Sequence, residues 1–326
     1  MLKGGIIGCG FFGQIQLEAW RRMDGAEIVA AADPDLDRAR KSAARAYASA
    51  EQMLDRERLD FVDIATRPEQ HLELVRLAAA LTLPVICQKP IAPTWNDAVA
   101  MVEAAEAAGV PFMVHENWRW QPWFREARRR IQSGAIGQPL AYHFRVRKND
   151  GGGPAPYPNQ PYFAQMPRLL IYETLVHHID TARFLFGDVE SVLARTRRIN
   201  PIIAGEDHAV LAMTHQGGLT GIIDGHRFSD PSPDGPVLGE AWFEGESGVL
   251  FVRGDGLLFA NSEVLWRNEV TEGYRGDSVR ATQQHFLNCL ASGEPFESGG
   301  REYLNTVRVV EAAYESAAAG KAARVG

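Results

Sequence analysis

The 326-residue sequence is poor in cysteine, with only Cys9, Cys87 and Cys289, far apart and without Cys-x-x-Cys or Cys/His ligand spacing. So few cysteines exclude a disulfide framework and read as small buried hydrophobes in a reducing compartment, so a cytoplasmic location is expected. No apolar run is as long as a bilayer crossing needs, and no membrane partner is expected. The chain opens directly into an apolar strand pattern, which leaves no room for a signal peptide. Basic runs are also lacking, since the tract 125–130 is broken by Glu126 and Ala127, and the net charge is −7. That balance excludes a nucleic-acid partner. There is no internal repeat and no low-complexity tract. With 45% hydrophobic and 23% charged residues the composition is that of an ordinary globular protein. The length suits two domains, each with its own core.

What is present is concentrated in the first thirty-odd residues. A short apolar run, Gly5-Ile6-Ile7, enters Gly8-Cys9-Gly10-Phe11-Phe12-Gly13. A helical pattern follows, and a second apolar run over 28–32 ends on Asp33. Strand, glycine turn, helix, strand and acid are the context that gives GxGxxG its meaning. Gly8 permits the tight turn, Gly10 lets the backbone approach a pyrophosphate, and Gly13 lets the helix pack on the strand. The anion sits at the helix N-terminus, where free N–H groups and the dipole favour it. Asp33, twenty residues beyond Gly13, can accept hydrogen bonds from adenosine ribose hydroxyls. Its charge repels a 2′-phosphate, so NAD is expected over NADP. Arg38, close by in sequence, softens that preference.

Apolar strands then alternate with helical patterns up to about residue 120. Helices are expected over 34–47, 50–56, 72–81 and 94–108, with strands over 59–65, 84–87 and 110–114. Thr94 is the N-cap and Gly109 the stop of the last helix. This rhythm means βαβ units and a parallel sheet, with ligands bound beyond the carboxyl ends of the strands. The glycine turn, Asp33, Thr66, Gln88-Lys89-Pro90 and Asn117 all fall at such ends.

After residue 120 the rhythm changes. A helix over 122–133, a strand over 139–147, a glycine- and proline-rich loop over 149–158 and a helix over 168–186 are expected. Several strands over 189–266 follow, joined by turns such as Gln216-Gly217-Gly218 and Asp230-Pro231-Ser232-Pro233, and the chain ends in helices. The fold class is α/β: an N-terminal Rossmann dinucleotide-binding domain over 1–120, and an α+β domain over 121–326 with a large, mostly antiparallel open sheet.

Two constellations carry chemistry. Lys89 lies between a strand and Pro90, which holds its backbone extended at the edge of the cofactor crevice. There it can hold a substrate hydroxyl and relay its proton. Glu173, His177 and Asp180 follow at spacings of four and three, which places all three on one helical face. A carboxylate one turn before an imidazole can orient it. Nothing nearby completes a zinc motif, so no metal is expected. Periodicity alone does not separate this set from a solvated helix stripe.

Taken together, Gly8 to Gly13, Asp33, Thr66 with His71, Gln88-Lys89-Pro90 and Glu173, His177 and Asp180 resemble the Gfo/Idh/MocA oxidoreductases over essentially the whole chain. The resemblance implies a catalytic set of Lys89, Glu173 and His177. It implies a cofactor-binding set of Gly8, Gly10, Phe11, Phe12, Gly13, Asp33, Arg38, Thr66, His71, Gln88 and Lys89. It further implies NAD-dependent oxidation of a hydroxyl of a small sugar or polyol, a pentose such as D-apiose being the lead. One of Lys89 and His177 accepts the proton as hydride passes to nicotinamide. Asn117, Trp118, Arg119, Arg145 and Asn149 are candidates, with Glu173 and His177, to line a polyhydroxylated pocket. Association as a homodimer or homotetramer through the C-terminal sheet is also implied. Gln88 and Glu173 stand where the family commonly has glutamate and aspartate, which suggests a specificity subgroup. The alternatives are a retained-NAD enzyme of glycosidase or epimerase type, and a non-catalytic NAD-binding sensor.

Overall fold

The computed structural model describes residues 1–231 and 233–326, so Ser232 of the expected 230–233 turn lies outside the described residues. The chain begins β1 (Leu2–Ile7), α1 (Phe11–Arg21), β2 (Ala26–Ala32), α2 (Leu36–Ser42), β3 (Arg45–Tyr47), α3 (Ala50–Arg56) and β4 (Phe61–Ile64). It continues α4 (Pro68–Ala80), β5 (Val85–Gln88), α5 (Trp95–Ala107) and β6 (Phe112–His115). The six strands form a parallel sheet in the order β3-β2-β1-β4-β5-β6. This is the doubly wound order, and the chain reverses direction across the sheet at β1. Every residue of β4, β5 and β6 is buried, as in a parallel sheet covered on both faces.

The expected helix over 34–47 is shorter than its pattern. It stops at Ser42, and Arg45–Tyr47 becomes the edge strand β3, paired with β2. The ladder bonds to β2 outweigh the weak helical preference of that stretch. Thr94 caps α5 by accepting from Asp97 N at 3.1 Å.

The remaining elements are α6 (Pro122–Gln132), β7 (Pro139–Asn149), α7 (Val176–Phe186), β8 (Val189–Arg197), β9 (His208–His215), β10 (Thr220–His226) and β11 (Phe228–Ser229). After these come β12 (Glu240–Gly245), β13 (Gly248–Val252), β14 (Leu258–Ala260), β15 (Glu263–Trp266), α8 (Ser278–Ser292), α9 (Gly300–Ala319) and β16 (Ala323–Arg324). The second sheet has ten strands in the order β15-β14-β13-β12-β7-β10-β9-β8-β16, with β11 alongside β7. Its pairs are antiparallel except β7 with β10. Along β7, Tyr142, Phe144 and Val146 are buried while Ala141, His143 and Arg145 are only partly covered. One face of the sheet is therefore core, and the other is open.

Two compact units result, residues 1–117 with 272–304, and residues 118–271 with 305–326. The return of 272–304 to the first unit departs from the expected single boundary at 120/121. Its cause is packing: Phe286 and Leu287 of α8 join Trp20, Phe61, Ile86 and Met113 in one cluster. The Phe61 and Phe286 rings meet edge to face at 5.6 Å. An amphipathic helix pattern does not say which apolar surface it will cover. Among the described residues, no helix is long and apolar enough to cross a membrane.

Candidate active site

The glycine turn of the first unit is built by close backbone approach. Gly8 has φ of 95°, a conformation that L side chains rarely adopt, and a Cβ there would lie 2.7 Å from the Ala65 carbonyl oxygen. A Cβ on Gly13 would lie 2.2 Å from the Gly8 carbonyl oxygen, so α1 starts directly against the turn. Gly10 differs, because nothing lies within 4 Å of where its Cβ would be. It is also the N-cap of α1 and supplies no side-chain cap. The helix N-terminus is thus without a side-chain cap, and room is left beside Gly10, a cradle that suits a pyrophosphate.

Asp33 stands at the end of β2 and is 8% exposed. Its Oδ2 accepts from Cys9 N and its Oδ1 from Asp35 N, both at 2.8 Å. The carboxylate therefore braces the glycine turn while each oxygen keeps a lone pair for a ribose hydroxyl. Arg38 is exposed and pairs with Asp35 at 3.1 Å. Burial pushes the Cys9 thiol up to about 11, so it stays protonated at neutral pH. Phe11 is 48% exposed. The Phe12 ring meets His115 at 6.1 Å and Tyr274 at 5.6 Å, both edge to face.

The ends of β5 and β6 hold several unmatched polar atoms. Gln88 and His115 are register partners on adjacent strands. Gln88 Oε1 accepts from Lys89 N at 2.7 Å, while its Nε2 has no partner among the described residues. The same is true of both His115 ring nitrogens and of Asn117 Oδ1. Burial pushes His115 down to about 4, so it is neutral and offers one donor and one acceptor. Buried groups left so cost about 1–3 kcal/mol each, and a cluster of them fits a polar ligand. With the Gly10 cradle and Asp33, the first unit fits a dinucleotide. Lys89 follows Gln88 at the same strand end and is 9% exposed.

Two expected ligand residues also have protein partners. Asn117 Nδ2 donates to Ser278 Oγ at 2.9 Å and so anchors the start of α8. His71 is wholly buried, with Nδ1 2.9 Å from the Ile91 carbonyl and Nε2 3.1 Å from the Thr66 carbonyl. Both its nitrogens are taken by backbone, so His71 braces the loops that follow β4 and β5. It stands directly beside Thr66, whose carbonyl lies against its Nε2.

In the second unit, the segment before α7 is a π-helix over Leu170–Leu175. Its first N–H groups are held by the Glu206 carboxylate, which accepts from Leu169 N at 3.2 Å and Ile171 N at 3.0 Å. Tyr314 donates its hydroxyl to Glu206 at 2.6 Å. Such wide turns concentrate at functional sites. The regular α period holds only from Val176, so the spacing of four between Glu173 and His177 spans the change from π to α winding.

Each member of the Glu173, His177 and Asp180 set has its own partner. Glu173 Oε2 accepts from the Thr174 hydroxyl at 2.7 Å and lies 3.5 Å from the Arg227 guanidinium. The His177 ring stacks on Trp118 with centroids 4.6 Å apart and 14° between planes. Asp180 takes two donors of Arg119, at 2.6 and 2.7 Å, and the Thr306 hydroxyl at 2.9 Å.

Three expected pocket residues have protein partners in this geometry. Arg119 is a buried clamp on Asp180, with side-chain exposures of 4% and 0%. Trp118 gives its flat face to His177 and its edge to His178, and so supports the imidazole. Arg145 lies on the open face of the sheet, paired with Glu240 at 3.3 Å. Its neighbours Tyr142 and Phe144 point the opposite way, onto Phe186 and His178 of α7. Alternation along a strand therefore puts Arg145 on the side away from His177. Asn149 is exposed at the end of β7, opposite Phe228. Arg227 and Thr174 carry no signal in the sequence, since no spacing links residue 227 to residue 173.

A parallel doubly wound sheet with a glycine turn before α1 and an acid at the end of β2, joined to an open-sheet domain, is the fold of an oxidoreductase, and the chain belongs to the Gfo/Idh/MocA family. The family's "Oxidoreductase family, NAD-binding Rossmann fold" matches residues 2–116, and its "GFO/IDH/MocA C-terminal domain" matches residues 124–250. The first unit is thus an NAD-binding Rossmann domain. The chain is 40% identical to a D-apiose dehydrogenase of Paraburkholderia graminis, over 98% of this chain and 88% of that protein. It is 37% identical to a D-apiose dehydrogenase of Rhizobium rhizogenes, over 100% and 98% of the two. It is also similar to an oxidoreductase from Agrobacterium radiobacter solved in complex with NAD+, L-tartaric acid and magnesium. That similarity has a TM-score of 0.90 and 36% identity, covering 100% of this chain and 98% of the other.

Proposed function

We propose that this protein is an NAD-dependent dehydrogenase that oxidises a hydroxyl of a small sugar, D-apiose or a close pentose relative. The observation that carries the reading is end-to-end similarity to two D-apiose dehydrogenases. Bound NAD would accept the hydride at its nicotinamide C4. The N–H groups at the start of α1 and Gly10 hold the pyrophosphate, and Asp33 accepts from the adenosine ribose. The ribose contact and the charge of Asp33 favour NAD over NADP. Lys89 and His177 are the groups assigned to hold the substrate hydroxyl and take its proton. Trp118 fixes the plane of the His177 ring, and Glu173 orients the proton-handling groups or binds a second hydroxyl.

Self-association is proposed through the open face of the second sheet, as a homodimer or homotetramer. Register partners place Leu193, Ala212, Ile222, His143, Trp242 and Phe251 in one row across that face. Leu193 and Ile222 are 40% and 43% exposed, which suits an apolar surface awaiting a second copy. Three buried free thiols suit the reducing cytoplasm.

The test is absorbance of reduced nicotinamide with NAD or NADP against D-apiose, other pentoses, inositols and polyols, with Lys89→Met run alongside. Turnover of D-apiose with NAD that vanishes in the variant is expected. Firm NAD binding with no net turnover on any sugar would sink the reading.

A further inference from the structure

Arg227 lies between β10 and β11 with its side chain only 6% exposed, and its guanidinium is divided between two tasks. Nε and Nη2 donate to the two oxygens of Asp150 at 2.7 and 2.6 Å, a bidentate fork. Nη1 donates to the Thr174 hydroxyl at 3.2 Å and lies 3.5 Å from Glu173 Oε2. The Thr174 hydroxyl in turn donates to that same oxygen at 2.7 Å. The hydroxyl receives from the arginine and gives to the glutamate, so the chain of bonds runs in one direction and ends on the carboxylate.

The same arginine organises the glycine- and proline-rich loop. Its guanidinium lies 4.7 Å from the Tyr157 ring centroid and 5.3 Å from that of Phe163. Its carbonyl accepts from Gly151 N at 2.8 Å, and Tyr157 N donates to the Asp150 carbonyl at 2.7 Å. Asn200 Nδ2 ties down the Gly151 and Gly153 carbonyls at 2.9 and 3.0 Å. A Cβ on Gly151 would lie 2.9 Å from the Arg227 carbonyl oxygen, so the loop needs glycine where it meets the arginine. The loop is held in place from its first residues onward.

We infer that Arg227 and Thr174 are positioning residues that fix the Glu173 carboxylate and couple its orientation to the Asp150 loop. A glutamate has three rotatable side-chain bonds, and an oxygen held by a hydroxyl with one guanidinium nitrogen 3.5 Å away loses part of that freedom. Arg227 is suited to this because Asp150 offsets its charge. It can hold the end of the Glu173–Thr174 chain without being a lone buried cation. The inference rests on the dehydrogenase reading, in which Glu173 acts on the substrate or on the groups that move its proton.

The test uses the full-length protein with NAD and the sugar that wild type oxidises, comparing wild type with Thr174→Val, Thr174→Ser and Arg227→Lys. Thr174→Val keeps the shape and removes the hydroxyl. It is expected to lower kcat/KM for the sugar about tenfold, the scale of one hydrogen bond to a charged group. NAD affinity and the denaturation midpoint should stay at wild-type values, and Thr174→Ser should restore the rate to within about twofold of wild type. Arg227→Lys keeps the charge but loses the fork, and should shift the acidic limb of the pH–rate profile to higher pH. Wild-type kcat, KM and pH profile in Thr174→Val and Arg227→Lys would overturn the inference. So would a loss in Thr174→Val that serine does not recover. A wild type silent on every sugar overturns the dehydrogenase reading and this inference with it, and is distinguished by the wild-type control itself.

Discussion

The imidazole of His177 lies face to face on the indole of Trp118, with centroids 4.6 Å apart and planes inclined by 14°. Trp118 is 3% exposed and His177 5%, so the stack is a buried contact in which the indole sets the plane of the imidazole. His178, the next residue, meets the edge of the same indole at 4.7 Å and the Phe144 ring at 5.6 Å. Two consecutive histidines therefore pack differently, one stacked on the indole and one set against both the indole and Phe144.

The stack gives a first prediction. Trp118→Leu should lower kcat about three- to tenfold, the worth of one aromatic stacking contact. NAD affinity, read by titration, should be unchanged. Trp118→Phe should keep most of the rate. Equal kcat in wild type and Trp118→Leu would show that the indole does not orient His177.

A second prediction concerns Asp63, wholly buried in β4 and pushed up to about 7 by desolvation. Trp20 Nε1 and Gln16 Nε2 donate to it at 2.7 and 3.0 Å. The folded state holds this proton where the unfolded chain has lost it. The contribution is therefore fully present below the ordinary carboxyl value of 3.8 and is lost as pH rises toward about 7. Asp63→Asn should flatten this dependence and gain up to about 4 kcal/mol relative to wild type above pH 7. With the Gln16 amide turned over, the new amide would donate to Gln16 Oε1 in place of the present bond from Gln16 Nε2. Denaturation curves at pH 5 and pH 8 give the answer, and parallel shifts in both proteins would sink it.

The Arg119 and Asp180 pair gives a third. Removing one partner from a buried pair strands the other charge, so Asp180→Ala should cost about 3–5 kcal/mol in chemical denaturation. The double variant with Arg119→Met should recover part of that loss. A double-mutant cycle showing simple additivity would argue against coupling.

The glycines of the turn give a fourth. Gly13→Ala must push backbone against backbone, since its Cβ would lie 2.2 Å from the Gly8 carbonyl oxygen. It should lower stability by about 1–3 kcal/mol as well as NAD binding. Gly10→Ala meets nothing within 4 Å and should leave stability nearly unchanged while weakening NAD binding. Equal stability loss in both variants would show that the two glycines do not have separate tasks.

Much of the first unit is legible in its amino-acid sequence. Parallel strands covered on both faces must be apolar runs, glycines must stand where backbones touch, and a helix start needs its cap. These are local demands, written in consecutive residues. The short strand Arg45–Tyr47 is not legible in this way, because its ladder bonds come from β2. Nor is the return of α8 to the first unit, since an apolar helix face carries no address.

The sequence by itself determined the Rossmann fold and NAD as the cofactor, and it put forward Asp33, Lys89, Glu173 and His177 as candidate site residues. Tertiary structure alone decided what those groups lean on. It set Glu173, in a π-helical segment, beside Thr174 and Arg227, and closed Arg119 on Asp180. It also took both nitrogens of His71 for backbone and put Arg145 on the open sheet face. The physical reason is that side chains far apart in sequence meet only once the chain has folded. A charge or ring then takes whichever partner the packing brings within reach.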